Sequence, residues 1–492
     1  AVIGLRRDRR ARGPGFPPAG RRAYRFDTQR ALEPPRAPGY SSLMPSERYD
    51  IAILGGGNAA FGVTVPAREA GLKVLMVEAR DLGGTCPNRG CTPKKVLVAA
   101  AHAMHEIARA PAHGIKIGRP SLDWTALIDR EKDLIRGIPD RLAGTLRERG
   151  VDLIRGHGKF LGPNAIEAGG RRIEAGHIVI ATGSKPRPLP IPGAELMITS
   201  DDVLSERSLP ASVLFVGGGA IALEFGHVYA RAGAQVTILE VLPRLLPALD
   251  ADAVCELRKE SERLGIKVHT GVEVKRVERA GGKLRTTFEQ DGREIAVDSD
   301  RVVNGAGRIA NVEDLDLDAA GIAHDGFKIA LDDYLRSKSN PSVHVCGDVT
   351  ASPQLSPVAT YEGKIVGRNI VEGPRHKPDY ASIPSAVYTV PSLATVGLSE
   401  EKARAQGLKI RVQVNDMLSW FSARTFAETV AWSKIIVEEE TDRIVGAHFV
   451  GHAGEELINL FGLAMRHGIA AAQLRDFVFA YPSFSADIKS ML

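Results

Sequence analysis

The stretch RYDIAILGGGNAAFGVTVPAREAGLKVLMVEA, residues 48–79, decides the fold of this chain. Tyr49 to Leu54 predict a buried strand, and the three glycines and the asparagine that follow predict a turn. Residues up to about Glu69 predict a helix, and residues 73–77 predict a second strand that ends at Glu78. A strand, a glycine turn, a helix and a second strand make a βαβ unit, which is typical of a parallel sheet.

The turn in this unit has the spacing Gly-x-Gly-x-x-Ala, formed by Gly55, Gly57 and Ala60. Glycines let the backbone approach a pyrophosphate at the start of the helix. Glu78 follows 23 positions after Gly55, where its carboxylate can accept hydrogen bonds from ribose hydroxyls. The unit predicts dinucleotide binding, and the alternative is an ordinary tight turn between a strand and a helix.

The same pattern returns in SVLFVGGGAIALEFGHVYARAGAQVTILE, residues 212–240. The repeated frame consists of Gly217, Gly219 and Ala222. Two such units predict two dinucleotides with electron transfer between them. Glu240, which ends the second strand, favours the ribose diol of NADH over the 2′-phosphate of NADPH, but Arg244 lies close in sequence and leaves NADPH possible.

Composition and charge exclude several classes of protein. The chain has 492 residues, of which 44% are hydrophobic and 25% are charged, and no apolar run approaches the ~18 residues of a membrane span. Residues 1–43 carry a net charge of +7, whereas the whole chain carries +5. The remaining 449 residues therefore sum to −2 and give no electrostatic case for binding nucleic acid. This arm, rich in proline, glycine and arginine, predicts a disordered leader, with a targeting peptide as the alternative. Four cysteines are too few for a secreted disulfide scaffold, so we expect a cytoplasmic protein.

The stretch GGTCPNRGCTPKK, residues 83–95, holds two of the four cysteines, Cys86 and Cys91. Pro93 fits the first turn of a helix, which places Cys91 at the helix start and Cys86 in the loop before it. Five residues along an ideal helix rise ~7.5 Å, too far for a disulfide, but a junction between loop and helix can fold the two together. The helix start and two lysines stabilise a thiolate, so the pair is suited to cycling between dithiol and disulfide.

Two other interpretations of this cysteine pair stay open. Cys86, Cys91, His102 and His105 could form a tetrahedral zinc site, although the gap between the cysteines is outside the common zinc spacings. The cysteines could also be inert and buried. Cys255 and Cys346 receive no predicted role.

The chain resembles the flavoprotein pyridine nucleotide–disulfide oxidoreductases, the family of glutathione reductase, dihydrolipoamide dehydrogenase and mercuric reductase. Residues 83–95 are similar to the redox-disulfide motif of that family. Four more segments resemble, in family order, the crossing to the nicotinamide domain, the return from it, the second flavin motif and the start of the dimerisation domain: residues 178–193, 304–311, 343–363 and 383–403.

The resemblance implies an α/β fold with two Rossmann-like dinucleotide-binding domains, for FAD and NAD(P), and a C-terminal α+β dimerisation domain. The expected order is a disordered leader, an FAD-binding domain with the redox disulfide, an NAD(P)-binding domain, a central segment returning to the FAD domain, and a dimerisation domain: residues 1–43, 44–190, 191–308, 309–380 and 381–492. It also implies a homodimer whose active site is completed by the C-terminus of the partner.

The resemblance also assigns roles to single residues. Cys86 attacks the substrate and Cys91 is the thiolate against the flavin, while Lys94 lies near flavin N5 and pairs with Glu224. The alternative for that last pair is a surface salt bridge of little energetic value. The flavin-side positions are Gly55, Gly57, Ala60, Glu78, Thr85, Gly158, Thr182, Gly183, Asp348 and Ser356. The nicotinamide-side positions are Gly217, Gly219, Ala222, Glu240 and Gly307.

The C-terminal stretch AYPSFSADIKSML, residues 480–492, departs from the family pattern. Tyr481 stands where the family has a catalytic His, Ala486 stands where its orienting Glu belongs, and Asp487 comes one residue late. A tyrosine is a poor base at pH 7 but can donate a proton, bind a metal or simply pack. Ala220 stands where glutathione reductases typically have a Tyr, which argues against specific glutathione reduction.

The predicted function is therefore an FAD-dependent NAD(P)H oxidoreductase of cell redox homeostasis that passes electrons through the Cys86–Cys91 disulfide to an unassigned disulfide or thiol-reactive substrate. NADH is the expected donor, and no resident metal is expected. One alternative is a reductase of Hg²⁺ or another thiophilic metal, because mercuric reductases also have a Tyr near this point, although this chain lacks their C-terminal cysteine pair. The other is a flavin-binding redox sensor with little turnover.

Overall fold

The glycine-rich stretch at residues 48–79 lies at the centre of a parallel sheet. In the computed structural model, which describes residues 47–492, the first unit consists of β1 (Glu47–Leu54), α1 (Asn58–Glu69) and β2 (Val74–Glu78). Strands β1 and β2 pair in parallel, and the alternating residues Ile51 and Ile53 are fully buried. The predicted leader, residues 1–43, lies outside the described residues.

The chain then adds helices to this unit before it returns to the sheet. These elements are α2 (Thr85–Arg89), α3 (Cys91–Arg109), α4 (Trp124–Ile135), α5 (Ile138–Glu148), β3 (Asp152–Arg155), β4 (Gly158–Gly162), β5 (Ala165–Ala168) and β6 (Arg171–Ile180). The strand order is β3-β2-β1-β6-β5-β4, with β4 and β5 antiparallel to their neighbours. The carboxyl ends of β1 and β6 therefore meet beside the first glycine turn, where open parallel sheets bind their ligands.

The second glycine stretch forms a second parallel sheet. Its region contains β7 (Ser184–Pro186), α6 (Ser200–Val203), β8 (Ser212–Val216), α7 (Ala220–Ala232), β9 (Gln235–Glu240), α8 (Ala251–Arg263), β10 (Lys267–Thr270), β11 (Glu273–Ala280), β12 (Lys283–Gln290), β13 (Arg293–Ser299), β14 (Arg301–Asn304) and β15 (Arg308–Ala310). The parallel order is β10-β9-β8-β14, and β11, β12 and β13 form an antiparallel sheet beside it. Strands β7 and β15 pair where the chain enters and leaves this region.

After this region the chain rejoins the first sheet. Strand β16 (Val343–Val345) pairs in parallel with β6, and helix α9 (Ser356–Glu372) packs against α1. Gly62 and Gly363 permit this packing, because a Cβ on Gly363 would overlap the Ala59 carbonyl group and one on Gly62 would lie 2.5 Å from the Thr360 oxygen. The start of α9 is thereby held close to the first glycine turn.

The C-terminal region is an antiparallel sheet covered by helices. Its elements are β17 (Ser385–Val387), β18 (Leu393–Gly397), α10 (Glu400–Ala405), β19 (Ile410–Asp416), α11 (Phe421–Thr425), β20 (Ala431–Glu438), β21 (Ile444–Gly451), α12 (Gly454–Arg466), α13 (Ala471–Asp476) and α14 (Ile488–Met491). The strand order is β17-β18-β21-β20-β19, and α12 packs on β18 and β21. The predicted α/β fold class is confirmed. Within residues 47–492, no helix combines the length and the apolarity that crossing a membrane requires.

Candidate active site

A cavity of about 390 Å³ opens at the first glycine turn. It collects almost all of the predicted flavin-side positions: Gly55, Gly57, Glu78, Thr85, Gly158, Thr182, Gly183, Asp348 and Ser356, together with Cys86. The exception is Ala60, which is fully buried behind the turn in the core between α1 and the sheet. The structure thus brings to one place residues that span more than 300 positions of the sequence.

The cavity has the features of a dinucleotide site. Gly55 has a φ of +103°, and a Cβ there would overlap the carbonyl oxygen of Ala181, so only glycine allows this turn. Glu78 is held rigidly, because its carboxylate accepts from the backbone N–H groups of Gly56 at 2.6 Å and Arg80 at 2.7 Å. The hydroxyl of Thr182 is buried at the cavity wall with no partner among the described residues. A small backbone profile, a fixed carboxylate and a free hydroxyl fit the pyrophosphate and ribose of FAD.

Asp348 adds a charged group to the cavity wall. Burial raises the pKa of its carboxyl, and the positive charge of Arg308 and a hydrogen bond with Ser184 partly oppose that shift. A buried carboxylate can accept hydrogen bonds from a sugar-like chain of hydroxyls. This placement agrees with a flavin-side position for Asp348.

The structure corrects the predicted environment of Cys86. Cys86 lies in the one-turn helix α2 and not in a loop. The side-chain amide of Asn88 stabilises this helical turn, because its Nδ2 donates to the carbonyl groups of Leu82 at 3.1 Å and Gly84 at 2.9 Å. Helix α3 begins at Cys91 with Pro93 in its first turn, as predicted.

The two thiols have opposite acid–base properties. The pKa of Cys91 is lowered to about 6, mainly because its sulfur accepts a hydrogen bond from the Cys86 thiol, with further help from Ser356 and the charge of Lys94 and against the effect of burial. The same hydrogen bond, followed by burial, raises the pKa of Cys86. Ser356, the first residue of α9, lies with its Oγ 3.4 Å from Cys91 Sγ. Near pH 7 the dithiol form therefore carries its negative charge on Cys91 and its proton on Cys86.

Lys94 and Glu224 form a shielded ion pair. Lys94 Nζ lies 2.6 Å from Glu224 Oε2, and the side chains are only 16% and 6% exposed, so this is not the surface salt bridge of the alternative interpretation. The other oxygen, Oε1, accepts from the backbone N–H of Tyr388 at 2.8 Å. The ring of Tyr388 also faces Lys94 and Lys95, whose Nζ atoms are 5.0 Å and 4.1 Å from its centroid. Sequence analysis missed Tyr388, because no local pattern links residues 164 positions apart.

The second glycine turn repeats the geometry of the first. Gly217 has a φ of +107°, and a Cβ there would overlap the carbonyl oxygen of Gly305. Glu240 accepts from the backbone N–H groups of Gly218 at 2.5 Å and Leu242 at 2.8 Å. The remaining predicted nicotinamide-side positions lie at the start of α7 (Gly219), buried within α7 (Ala222) and between β14 and β15 with a φ of +94° (Gly307). The turn fits a second dinucleotide for the same reasons as the first.

The C-terminal segment places its three unusual residues in different environments. Tyr481 is 79% exposed, whereas Ala486 is buried. Asp487 is engaged inside the chain, because its Oδ2 accepts from Ser422 and lies 2.9 Å from Nε2 of the buried His452. Asp487 is thus not available to orient a group at position 481.

The zinc interpretation gains no support from the structure. His105 is buried, and burial lowers its pKa to about 3. In the part of the chain that the structure describes, no three His, Cys, Asp or Glu side chains come together in a way that could hold a metal ion. Cys255 is exposed on α8, and Cys346 is fully buried at the end of β16.

Comparisons with known proteins agree with this geometry. Residues 49–363 match the family model described as pyridine nucleotide-disulphide oxidoreductase, and residues 383–492 match that of its dimerisation domain. The dihydrolipoyl dehydrogenase of Thermus scotoductus is 34% identical over 89% of this chain and 95% of its own length. The mercuric reductase of Staphylococcus aureus is 31% identical over 92% of this chain and 85% of its own length.

A solved structure shares the fold as well. The Cu(II) complex of the HOCl-induced flavoprotein disulfide reductase RclA from Escherichia coli aligns with a TM-score of 0.81 and 26% identity, over 90% of this chain and 99% of that one. The first family model alone covers more than half of the sequence, and it includes both glycine turns and the cysteine pair. The chain therefore belongs to the pyridine nucleotide-disulphide oxidoreductases, a family of FAD-dependent enzymes that use NAD(P)H as electron donor.

Proposed function

We propose that this protein is an NADH-preferring reductase that passes two electrons through Cys86 and Cys91 to a low-molecular-weight disulfide. The observation that carries the proposal is geometric: Cys91 begins helix α3, its sulfur lies 3.4 Å from Ser356 Oγ, and Lys94, in its shielded ion pair with Glu224, lies in the first turn of the same helix. Neither cysteine is buried, so the pair is not inert through burial, and a helix start with a neighbouring cation stabilises the thiolate that thiol–disulfide exchange needs.

The residues around the pair divide the work between them. FAD, when bound, supplies the two-electron chemistry that links the nicotinamide coenzyme to the sulfurs. The glycine turns and the carboxylates of Glu78 and Glu240 would hold the two dinucleotides. Lys94, fixed by Glu224, keeps a positive charge beside Cys91 and stabilises negative charge there.

The transfer to a disulfide substrate takes two exchanges. The Cys86 proton first moves along its hydrogen bond to Cys91, and the resulting Cys86 thiolate attacks one substrate sulfur and breaks the substrate S–S bond. The proton on Cys91 then passes to the departing thiolate, which leaves as the first thiol. Cys91 then attacks Cys86 Sγ in the mixed disulfide, which releases the second half of the substrate as a thiolate that takes a proton from solvent. The protein pair is oxidised to a disulfide, and the substrate is reduced to two thiols.

A thiophilic metal ion is a second candidate acceptor, and Tyr481 favours it. A leaving thiolate needs an acid, and the exposed Tyr481 replaces the histidine that provides one in the family. A metal ion releases no thiolate and needs no acid. The two electrons of the dithiolate, which closes to a disulfide, match one Hg²⁺ reduced to Hg⁰ or two Cu²⁺ reduced to Cu⁺. Similarity to a mercuric reductase and to RclA, solved as a Cu(II) complex, supports this candidate.

The proposal includes the assembly and the division of the chain. The matched dimerisation domain and the exposed Phe477, Val478 and Tyr481, at 59%, 88% and 79%, support a homodimer in which this segment meets the partner. The pairing of β16 with β6 supports a central segment, residues 309–380, that returns to the FAD-binding region of residues 44–190. Residues 191–308 and 381–492 are then the NAD(P)-binding and dimerisation domains. A cytoplasmic location suits a pair of thiols that must be kept reducible.

An acceptor screen tests the function. The full chain with bound FAD is mixed anaerobically with NADH or NADPH and then with a panel of small disulfides, Hg²⁺ or Cu²⁺, while coenzyme oxidation is followed. We expect rapid turnover with at least one disulfide and faster turnover with NADH. Turnover with Hg²⁺ or Cu²⁺ but with none of the disulfides favours the metal-ion reductase. Flavin bleaching without turnover on any acceptor contradicts both and favours a redox sensor.

The variant Tyr481→Phe sharpens this screen. If Tyr481 donates a proton to the leaving thiolate, the variant should lose about tenfold in disulfide turnover. Flavin bleaching by NADH and turnover with metal ions should stay as in the wild type, because neither needs that proton. An unchanged rate with disulfides shows that Tyr481 has only a packing role.

A further inference from the structure

The loop that follows Glu240 contacts helix α10 of the C-terminal domain through Arg244, Ala248 and Asp250. This loop, VLPRLLPALD, residues 241–250, joins β9 to α8 and contains one basic residue, Arg244. In dinucleotide-binding folds, an arginine near the acid at the end of the second strand is the usual partner of a 2′-phosphate. The position of Arg244 in sequence makes it the natural candidate for binding NADPH.

The structure engages Arg244 elsewhere. Its guanidinium forms a bidentate pair with Glu401 of helix α10, with Nη1–Oε1 at 2.8 Å and Nη2–Oε2 at 2.9 Å. Nη2 also donates to the carbonyl oxygen of Pro247 at 2.9 Å. The two parallel hydrogen bonds raise the pKa of Arg244 and set the plane of its guanidinium.

A charged cluster around the buried Lys434 and Asp250 holds α10 against the loop. Lys434, whose side chain is 3% exposed, lies with its Nζ 2.7 Å from Glu400, 2.7 Å from Asp252 and 3.2 Å from Asp250. The backbone N–H of Glu400 also donates to Asp250 at 3.2 Å. Because Glu400 precedes Glu401 and Asp250 ends the loop, this cluster fixes Glu401 relative to Arg244.

The pairing of Arg244 with Glu401 therefore weakens the one feature of the sequence that left NADPH possible. Glu240, buried and held by two backbone N–H groups, remains a carboxylate acceptor for a ribose diol. The one cation of the loop is paired with a second carboxylate, that of Glu401, whose side chain is 58% exposed. Two carboxylates and a paired arginine repel a phosphate dianion.

We propose that Glu401 is a positioning residue for coenzyme selection: by holding Arg244 it withholds a positive charge from the 2′-phosphate of NADPH, so that NADH is preferred. The inference rests on the proposed function, which makes the second glycine turn the nicotinamide coenzyme site. It assigns part of the coenzyme specificity to a residue of the C-terminal domain.

A binding experiment isolates the 2′-phosphate. Calorimetry on the full chain with bound FAD compares 5′-AMP with adenosine 2′,5′-bisphosphate, which differs by that phosphate alone. In Glu401→Gln the ratio of the two dissociation constants should shift about tenfold toward the bisphosphate, the value of a new charge-assisted hydrogen bond. The ratio of flavin-bleaching rates with NADPH and NADH should shift in the same direction.

Two variants control for a general change of charge. The pair Arg285–Asp298 on β12 and β13 is also bidentate, through Nε at 2.8 Å and Nη2 at 2.9 Å, so Asp298→Asn should leave the ratio as in the wild type. The double variant Glu401→Gln/Arg244→Gln should lose the gain. An unchanged ratio in Glu401→Gln, an equal shift in Asp298→Asn, or a gain that survives in the double variant overturns the proposal.

The outcomes also separate this inference from the proposed function. If wild-type protein binds 5′-AMP and Glu401→Gln shows the expected shift, but the wild type turns over no acceptor, the function is disproved and the role of Glu401 stands. Wild-type protein that binds neither nucleotide disproves both.

Discussion

The two glycine turns of this protein are close copies in geometry and differ in what covers them. Gly55 and Gly217 have φ values of +103° and +107°, and each would place a Cβ against a carbonyl oxygen. Glu78 and Glu240 accept hydrogen bonds from equivalent backbone positions. The first turn is followed by the cysteine helices, whereas the loop that follows Glu240 beside the second turn contacts α10 of the C-terminal domain through Arg244 and Asp250.

Under the proposed function, each glycine turn binds a dinucleotide, and the residues around the turn determine the chemistry. The first turn pairs through Gly57 with Gly83, just before α2, and so adjoins the redox pair. The helix of the second turn, α7, carries Glu224 toward Lys94 and donates from Arg231 to the carbonyl oxygen of Val390. The first glycine turn therefore lies in the same cavity as Cys86. The helix of the second turn positions Glu224, which pairs with Lys94.

Removing a sulfur should break the comparison most severely. Cys86→Ser or Cys91→Ser should reduce acceptor turnover by more than about 10³-fold, because no exchange can be completed without both thiols. Both variants should still be bleached by NADH, because the two glycine turns are intact. The exposed Cys255→Ser serves as control, and comparable losses in it contradict the role of the pair.

Substituting the turn glycines should affect FAD binding and NADH binding separately. Gly55→Ala should lose bound FAD, and Gly217→Ala should keep FAD while its KM for NADH rises by more than about tenfold, because each Cβ meets a carbonyl oxygen. Flavin absorbance and coenzyme kinetics measure the two effects. Gly71 serves as the control, because it also has a positive φ, +78°, but a Cβ there would meet open space. Gly71→Ala should therefore lower the free energy of unfolding by only about 1 kcal/mol. Loss of FAD in Gly217→Ala contradicts the assignment.

Breaking the ion pair between Lys94 and Glu224 should have an intermediate effect on turnover. Lys94→Gln and Glu224→Gln should each slow acceptor turnover by about 10²-fold, because the charge beside Cys91 is removed or loses its anchor. Stopped-flow absorbance measures the rate. Lys95→Gln is a matched control, since Lys95 also faces Tyr388 but does not pair with Glu224. Equal effects of Lys94→Gln and Lys95→Gln contradict a specific role for the pair.

The smallest expected effect concerns the pH dependence of Cys91. With a pKa of about 6, the Cys91 thiolate is present at neutral pH and is lost as the pH falls through that value. Ser356→Ala removes a hydrogen bond that favours the thiolate, so the midpoint should move upward by roughly one pH unit. Thiolate ultraviolet absorbance of the dithiol form, corrected with Cys91→Ser, gives the midpoint. Thr425→Ala, remote on α11, should leave it in place, and a downward shift in Ser356→Ala contradicts the assignment.

The sequence predicted what local patterns encode. Both βαβ units, the helix start at Cys91 and the early position of Pro93 were correct, because glycine spacing and strand hydrophobicity act over short distances. The α/β class followed from the same patterns. The helical turn around Cys86 was missed, since it depends on the side chain of Asn88 reaching backward to two carbonyl groups.

Long-range contacts were beyond such patterns. Ser356 was expected at the flavin side, and the structure also puts its hydroxyl beside Cys91, 265 positions away in sequence. The sequence position of Arg244 suggested a phosphate ligand, whereas Glu401, 157 positions later, engages it. Asp487 was read only as a displaced family residue, although His452 holds it. The roles of the individual site residues and the domain boundaries stay predictions.

Helix α7 is tied on two sides by the contacts of Glu224 and Arg231. One oxygen of Glu224 accepts a hydrogen bond from the ammonium of Lys94, and the other accepts from the backbone N–H of Tyr388. Arg231 donates to the carbonyl oxygen of Val390. A swing of the nicotinamide region away from its neighbours would rupture these contacts together. The coenzyme must then enter along an already open edge, and turnover should respond to small side-chain movements more than to the viscosity of the medium.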